Sequence, residues 1–98
     1  MKFAILFEDN LGVGELRTKH MPDHLAFLER NKDTIEAAGP LLESDGEGAG
    51  GLWLVDVADQ RVARALVEDD PFWPTGLRKS VRILTWKQVF SNGKRLIG

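Results

Sequence analysis

The sequence Leu52-Trp53-Leu54-Val55-Asp56-Val57 is followed, after a short break, by an amphipathic run from Gln60 to Asp69. The first segment is apolar and rich in aromatic and β-branched side chains, which is typical of a buried strand. The second carries apolar residues at helical spacing, and these are Val62, Ala63, Leu66 and Val67. Asp59 stands where a side chain caps a helix, and Pro71 ends it because proline disfavours a helical residue before it. The pattern predicts a strand over 52–57 and a helix over 60–69.

The flanking sequence supplies the remaining elements. The continuous apolar run from Lys2 to Phe7 predicts a central strand, and Val81 to Trp86 predicts a final one. Pro22 favours the start of a first helix, which places His20 in the loop before it, and Gly39-Pro40 favours its end. Leu25, Leu28 and Ile35 then form its inward stripe. A short strand at Leu41-Leu42-Glu43 is expected to pair with 52–57 as a hairpin.

The resulting order is βαββαβ, which predicts the α+β ferredoxin-like fold. In that fold a four-stranded antiparallel sheet carries both helices on one face. The whole chain, 1–98, is interpreted as a single domain, with 91–98 as a C-terminal tail. The second sheet face would be apolar and uncovered, so we expect a homodimer formed through that open face.

The amino-acid composition excludes several classes of function. With 43% hydrophobic and 29% charged residues, the chain has the composition of one soluble globular domain. Its net charge of −2 disfavours nucleic acid as a partner. The absence of cysteine excludes disulfide, thiolate and thiolate-zinc chemistry. The apolar run at the amino terminus is too short for a signal peptide or a membrane span, so we expect a cytoplasmic protein with no membrane partner.

Two motifs receive structural interpretations. Gly46, Gly48 and Gly51 match the letters of a dinucleotide fingerprint, but a strand follows them where a helix is required, so a hairpin connection is favoured. His20 and His24 have the spacing of two metal ligands on a helix. Pro22 lies between them and a third ligand would have to come from Asp23, Asp70 or elsewhere, so neither a metal nor a cofactor is predicted.

His24 is the principal candidate for chemistry. Helical periodicity turns it half toward the core, where a buried imidazole needs a hydrogen-bond partner, and Asp70 is the best candidate. A carboxylate on one ring nitrogen leaves the other free to move a proton. A structural histidine held by the same contact is the alternative. Pro71, Phe72 and Trp73 either close the end of the core or form the wall of a pocket for a small organic ligand.

The chain resembles the YciI-like (YCII-related) family of the dimeric α/β-barrel superfamily. The resemblance rests on Pro22-x-His24-Leu25 with Phe27-Leu28, on Ala38-Gly39-Pro40-Leu41, and on Asp70-Pro71-Phe72 with Gly76-Leu77. It extends to Val81-x-Ile83 and Trp86, and so covers roughly residues 2 to 90. It implies a dimer of ferredoxin-like domains with an active site around a His and an Asp, which are His24 and Asp70 here.

The implied function is cofactor-independent acid–base chemistry, such as a lyase- or dehydrochlorinase-like elimination on a small cyclic or aromatic substrate. A non-catalytic small-ligand-binding or accessory homodimer is the alternative, and a pure oligomerisation module is a third. Many relatives have Arg-Pro-x-His, whereas this chain has Met21-Pro22-Asp23-His24. A substrate carboxylate would therefore lack its arginine clamp unless Arg17, Lys19 or His20 replaces it.

Overall fold

The computed structural model describes residues 1–98 and contains one main sheet with two helices on one face. The elements in chain order are β1 (Lys2–Asp9), α1 (Gly14–Arg30), β2 (Ile35–Leu42), β3 (Gly48–Asp56), α2 (Gln60–Asp69), β4 (Arg78–Thr85), β5 (Phe90–Ser91) and β6 (Lys94–Arg95). A short 3₁₀ turn, Trp73–Thr75, joins α2 to β4. The predicted βαββαβ order and ferredoxin-like fold are confirmed.

The main sheet has the antiparallel order β2-β3-β1-β4. Alternate side chains of the two central strands point toward the helices and form the core, with Trp53 and Val55 from β3. The helices contribute Phe27 from α1 and Leu66 from α2. The opposite face of the sheet has no helix over it, and its central residues Leu6, Leu52 and Leu54 are only partly buried.

The second helix is as predicted. It spans Gln60–Asp69, and the Asp59 carboxylate accepts a hydrogen bond from the Val62 backbone N–H at 3.0 Å. This contact satisfies one of the free donors in the first turn. Ala63, Leu66 and Val67 are buried, whereas Val62, which was expected to face inward, is exposed.

The predicted bounds of the first helix are wrong at both ends. The helix begins at Gly14, so Pro22 and His20 lie inside it. Val13 at the N-cap position makes no side-chain cap, so the sequence carries no start signal there. An interior proline removes one helical hydrogen bond at a cost of about 3 kcal/mol. The turns before Pro22 are tied to the sheet by the Arg17–Asp9 ion pair.

At its other end α1 stops at Arg30, not at Gly39-Pro40. The Asn31 side chain donates to the Phe27 carbonyl at 2.8 Å and closes the last turn. Ile35, which the helical stripe included, begins β2 and joins the core. Because β2 is an edge strand, it tolerates Pro40, and the strand extends from Ile35 well before the predicted Leu41. The hairpin with β3 is confirmed, and 43–47 form its turn.

We expect Gly50→Ala to destabilise the sheet strongly. A Cβ at position 50 would lie 1.8 Å from the Phe7 carbonyl oxygen, which belongs to the neighbouring strand and can move only if the pairing distorts. Overpacking of this kind costs about 2 kcal/mol or more. Gly48→Ala is the matched control in the same strand, because a Cβ there meets nothing within 4 Å. Urea denaturation measures both, and equal free energies of unfolding would contradict the expected clash.

Candidate active site

His24 and Asp70 form a buried pair between the two helices. His24 lies on α1, and Asp70 is the C-cap residue of α2. The His24 Nδ1 and Asp70 Oδ1 atoms are 2.7 Å apart, and the two residues are only 6% and 2% exposed. The predicted contact is therefore confirmed.

The pair defines how the imidazole is protonated. An ionised carboxylate can only accept, so Nδ1 carries the hydrogen and donates it to Asp70. Asp70 Oδ1 also accepts the Phe72 backbone N–H at 3.2 Å, which fixes the carboxylate. The other nitrogen, Nε2, makes no hydrogen bond within the protein and is not sealed from solvent. His24 therefore presents Nε2 as a free acceptor for a proton.

Aromatic rings hold the imidazole in place. The Phe72 ring stacks on His24 with a centroid distance of 4.1 Å and an interplanar angle of 14°. Trp53 lies near His24 at 6.1 Å. Because both rings are fully buried, the imidazole has little freedom to rotate. The arrangement gives His24 a defined direction toward the adjacent cavity.

A cavity of about 90 Å³ borders His24. Its wall is largely apolar, and its lining residues are Arg17, Met21, His24, Leu25, Leu28, Ala38, Gly39, Pro40, Trp53 and Arg78. A larger cavity of about 310 Å³ lies next to it, with Arg17 and Pro40 in both linings. The apolar wall with a few polar groups suits a small organic ligand.

Pro71, Phe72 and Trp73, which the sequence suggested as pocket residues, line neither cavity. Phe72 lies behind His24 as its stacking partner. Trp73 packs against the core and lies under the Arg64 guanidinium, 5.0 Å from Cζ to the ring centroid. Phe72 is therefore a stacking partner of the His24 ring and not a cavity residue.

Two arginines and one carboxylate form a second charged group beside His24. Asp9 Oδ2 accepts from Arg17 at 2.6 Å, and Asp9 Oδ1 accepts from Arg78 at 3.1 Å. The Arg78 side chain is only 3% exposed, its guanidinium lies 4.1 Å from the Phe7 ring centroid, and its Nε has no partner. Burial lowers the pKa of Arg78, and the charge of Asp9 opposes that effect. One carboxylate thus faces two guanidinium groups.

Of Arg17, Lys19 and His20, which the sequence left as alternatives for the clamp, Arg17 is the one that lines the cavity. It lies one helical turn before Met21 and two turns before His24, so all three share one face of α1. Arg17 thus places a guanidinium in the cavity wall, whereas Lys19 and His20 do not line that cavity. Helical spacing identifies Arg17 only once the helix is known to begin at Gly14. No sequence signal connects Arg78 or Asp9 with the site, because they come from two other strands.

His20 and His24 do not form a metal site with a third ligand. No cluster of three or more His, Cys, Asp or Glu side chains suited to a metal occurs in the chain. His20 lies on α1 and is partly exposed, one turn before His24. No helix in the structure has the length and apolar character needed to cross a membrane.

The structure is thus an α+β ferredoxin-like domain with a buried His–carboxylate pair beside a small cavity. The chain matches the model of the YCII-related domain over residues 1–87, and it belongs to that family. The family resemblance of the sequence is thereby confirmed. No curated protein sequence matches the chain.

Two solved structures are similar to the chain. The chain is similar to 5-chloro-2-hydroxyhydroquinone dehydrochlorinase from Burkholderia phenoliruptrix AC1100, which was solved in complex with 2,5-dihydroxybenzoquinone. The TM-score is 0.80 at 29% identity, covering 89% of this chain and 94% of that one. A protein of Arabidopsis thaliana matches with a TM-score of 0.47 at 14% identity, covering 93% and 97% of the two chains.

Proposed function

We propose that this protein is a homodimeric, cofactor-independent acid–base enzyme in which His24 exchanges a proton with a small cyclic or aromatic substrate. The observation that carries the proposal is the His24–Asp70 contact, with Nδ1 occupied and Nε2 free beside a cavity. A purely structural histidine has no need of a free nitrogen next to an empty volume. Asp70 is a positioning residue, because it acts on the substrate only through His24.

The charges around the cavity favour an acidic substrate. Arg17 and Arg78 line it, whereas their partner Asp9 and the His24 partner Asp70 do not. Donors that face the cavity therefore outnumber acceptors there, and charged donors in a buried site strongly favour an anion. A ring that bears an ionised hydroxyl or an enolate oxygen has both the flat apolar surface and the negative charge that this cavity fits.

The proposed reaction class is elimination of a hydrogen halide. Nε2 of His24 accepts a proton from the substrate, the electron pair that is released forms a new double bond, and the halide leaves with its own bonding pair. The sum is the loss of one hydrogen halide, with no oxidant or reductant consumed. Arg17 and Arg78 would stabilise the negative charge that develops on the ring oxygen.

The homodimer is supported by the open face of the sheet. Ala4, Leu6, Leu52 and Leu54 lie on that face in the two central strands, and Leu84 on β4 extends the apolar surface. Covering such a face with its own copy removes the apolar surface from water on both partners at once. Light scattering is expected to give twice the chain mass of 10.9 kDa.

The relative's substrate provides the first test of activity. Purified protein is incubated with 5-chloro-2-hydroxyhydroquinone in the presence of a chelator, and released chloride is measured. We expect one chloride for each substrate consumed, at a rate that the chelator does not change. If neither turnover of this compound nor saturable binding of 2,5-dihydroxybenzoquinone is detected, this reaction class is wrong for the chain.

We expect Arg17→Met to weaken binding of 2,5-dihydroxybenzoquinone by about 10- to 100-fold. A hydrogen bond to a charged group contributes about 1.5–3 kcal/mol, and the substitution keeps the side-chain stem while removing the charge. Lys19→Met is the control, because Lys19 carries the same charge on an exposed part of the same helix. Isothermal titration calorimetry measures both, and equal losses would attribute the effect to net charge rather than to the site.

A further inference from the structure

Residues 88–98 form a hairpin that is separate from the main sheet and lies beyond the family match. β5 and β6 pair only with each other around Asn92-Gly93, whose φ angles of 51° and 77° are those of a type I′ turn. No hydrogen bond or ion pair connects residues 88–98 with residues 1–87. The hairpin is therefore well formed locally but is not attached to its own domain by polar contacts.

The hairpin exposes several large apolar side chains to solvent. Val89, Phe90, Leu96 and Ile97 are each between 48% and 59% exposed. An isolated two-stranded hairpin is marginally stable in water, and it gains stability only by packing its side chains against another surface. The exposed apolar side chains indicate that such a surface exists.

Charge indicates which surface this is. Residues 71–98 contain six Lys or Arg and no Asp or Glu, so all fifteen acidic side chains lie in residues 1–70. The hairpin contributes Lys94 and Arg95. The turn between β2 and β3 contains Glu43, Asp45 and Glu47, none of which forms an ion pair within the chain. These two groups are complementary in charge, and neither has a partner of its own.

A single copy cannot bring the two groups together. β4 is antiparallel to β1, so the hairpin leaves the sheet at the end where β1 begins. The β2–β3 turn lies at the other end, where β1 finishes. The eight residues of β1 separate those ends by about 25 Å. A second copy whose strands run in the opposite direction places its hairpin next to this turn.

We propose that the hairpin 88–98 of one copy docks on a second copy, at the acidic β2–β3 turn and the apolar rim beside it. The rim consists of Leu11, which is 99% exposed, and Leu42, which is also exposed. Both line the larger cavity next to that of His24, so each docked hairpin also covers the mouth of the partner's site. The inference rests on the proposed homodimer and extends it, since each site is complete only with a segment of the other copy.

Engineered cysteines test the docking, because the natural chain contains none. The double variant Glu47→Cys/Lys94→Cys is oxidised mildly and separated on a denaturing, non-reducing gel. We expect a covalent dimer that reduction returns to the single-chain mass. The control Asp33→Cys/Lys94→Cys places its first cysteine at the opposite end of the sheet and is expected to give no covalent dimer.

The outcomes separate this inference from the dimer itself. A dimer by light scattering that yields no covalent dimer, or yields it equally in the control, overturns the docking and leaves the open-face dimer standing. A monomer by light scattering overturns both.

Charge reversal provides an independent readout that requires no cysteine. The dimer of the Lys94→Glu/Arg95→Glu variant is expected to have a dissociation constant about tenfold higher than that of the natural dimer. Mixing it with Glu43→Lys/Glu47→Lys is expected to restore association, and no restoration contradicts the proposal.

Discussion

Asp70→Asn is expected to lower kcat for the proposed elimination by about 10²- to 10⁴-fold, with little change in KM. The substitution leaves a side chain of the same shape but removes the charge that orients His24 and stabilises its protonated form. His24→Gln is expected to lower kcat at least as far, because it removes the proton acceptor itself. Chloride release under saturating substrate measures both.

The tautomer of His24 separates a positioning role from a structural one. In the natural protein, the nitrogen chemical shifts of His24 are expected to show hydrogen on Nδ1 and none on Nε2. In Asp70→Asn this preference is expected to weaken, while the free energy of unfolding changes by less than about 1.5 kcal/mol. His20→Gln is the control on the same helix, and we expect its activity to equal that of the natural protein.

The alternative function gives the opposite pattern. If Asp70→Asn unfolds the protein at a much lower temperature while ligand affinity stays unchanged, the pair is a structural bridge between the helices. The protein would then be a binding or accessory dimer rather than an enzyme.

Asp9→Ala is expected to destabilise the fold by about 3 kcal/mol or more. Asp9 is the carboxylate between the Arg17 and Arg78 guanidinium groups, and its side chain is itself largely buried. Removing one partner of a buried ion pair leaves an uncompensated charge, which typically costs 3–5 kcal/mol. Here both Arg17 and Arg78 lose their partner. Arg78 is nearly fully buried, so its charge cannot be solvated by water instead.

Two comparisons make this prediction specific. Glu68→Ala breaks the exposed Arg64–Glu68 pair on α2 and is expected to cost less than about 1 kcal/mol. Adding Arg78→Met to Asp9→Ala is expected to recover much of the lost stability, because the buried charge is then absent. Urea denaturation of the three variants measures these differences, and an equal loss in Asp9→Ala and Glu68→Ala would show that the Asp9 group contributes no more than a surface pair.

The elements that local sequence encodes were predicted closely. α2 has a side-chain cap at Asp59, a clear apolar stripe and Pro71 after its end, and it was placed at its observed bounds. α1 has no side-chain cap at its start and contains Pro22, so its extent depends on contacts that the local sequence does not show. The same holds for Gly39-Pro40. The local sequence is typical of a helix end, but in the structure both residues lie in the edge strand β2, which pairs with β3.

The sequence by itself determined the order of elements, the family and the two residues of the central pair. These follow from periodicity, caps and ordered motifs, which are properties of neighbouring residues. Tertiary structure alone decided that Arg78 from β4 joins Arg17 from α1 in the cavity wall beside His24, with Asp9 from β1 as their shared carboxylate. It also decided that Phe72 supports the imidazole from behind while Trp53 lines the cavity. Such placements depend on sheet register and strand order, which bring together residues far apart in the chain and leave no pattern in the local sequence.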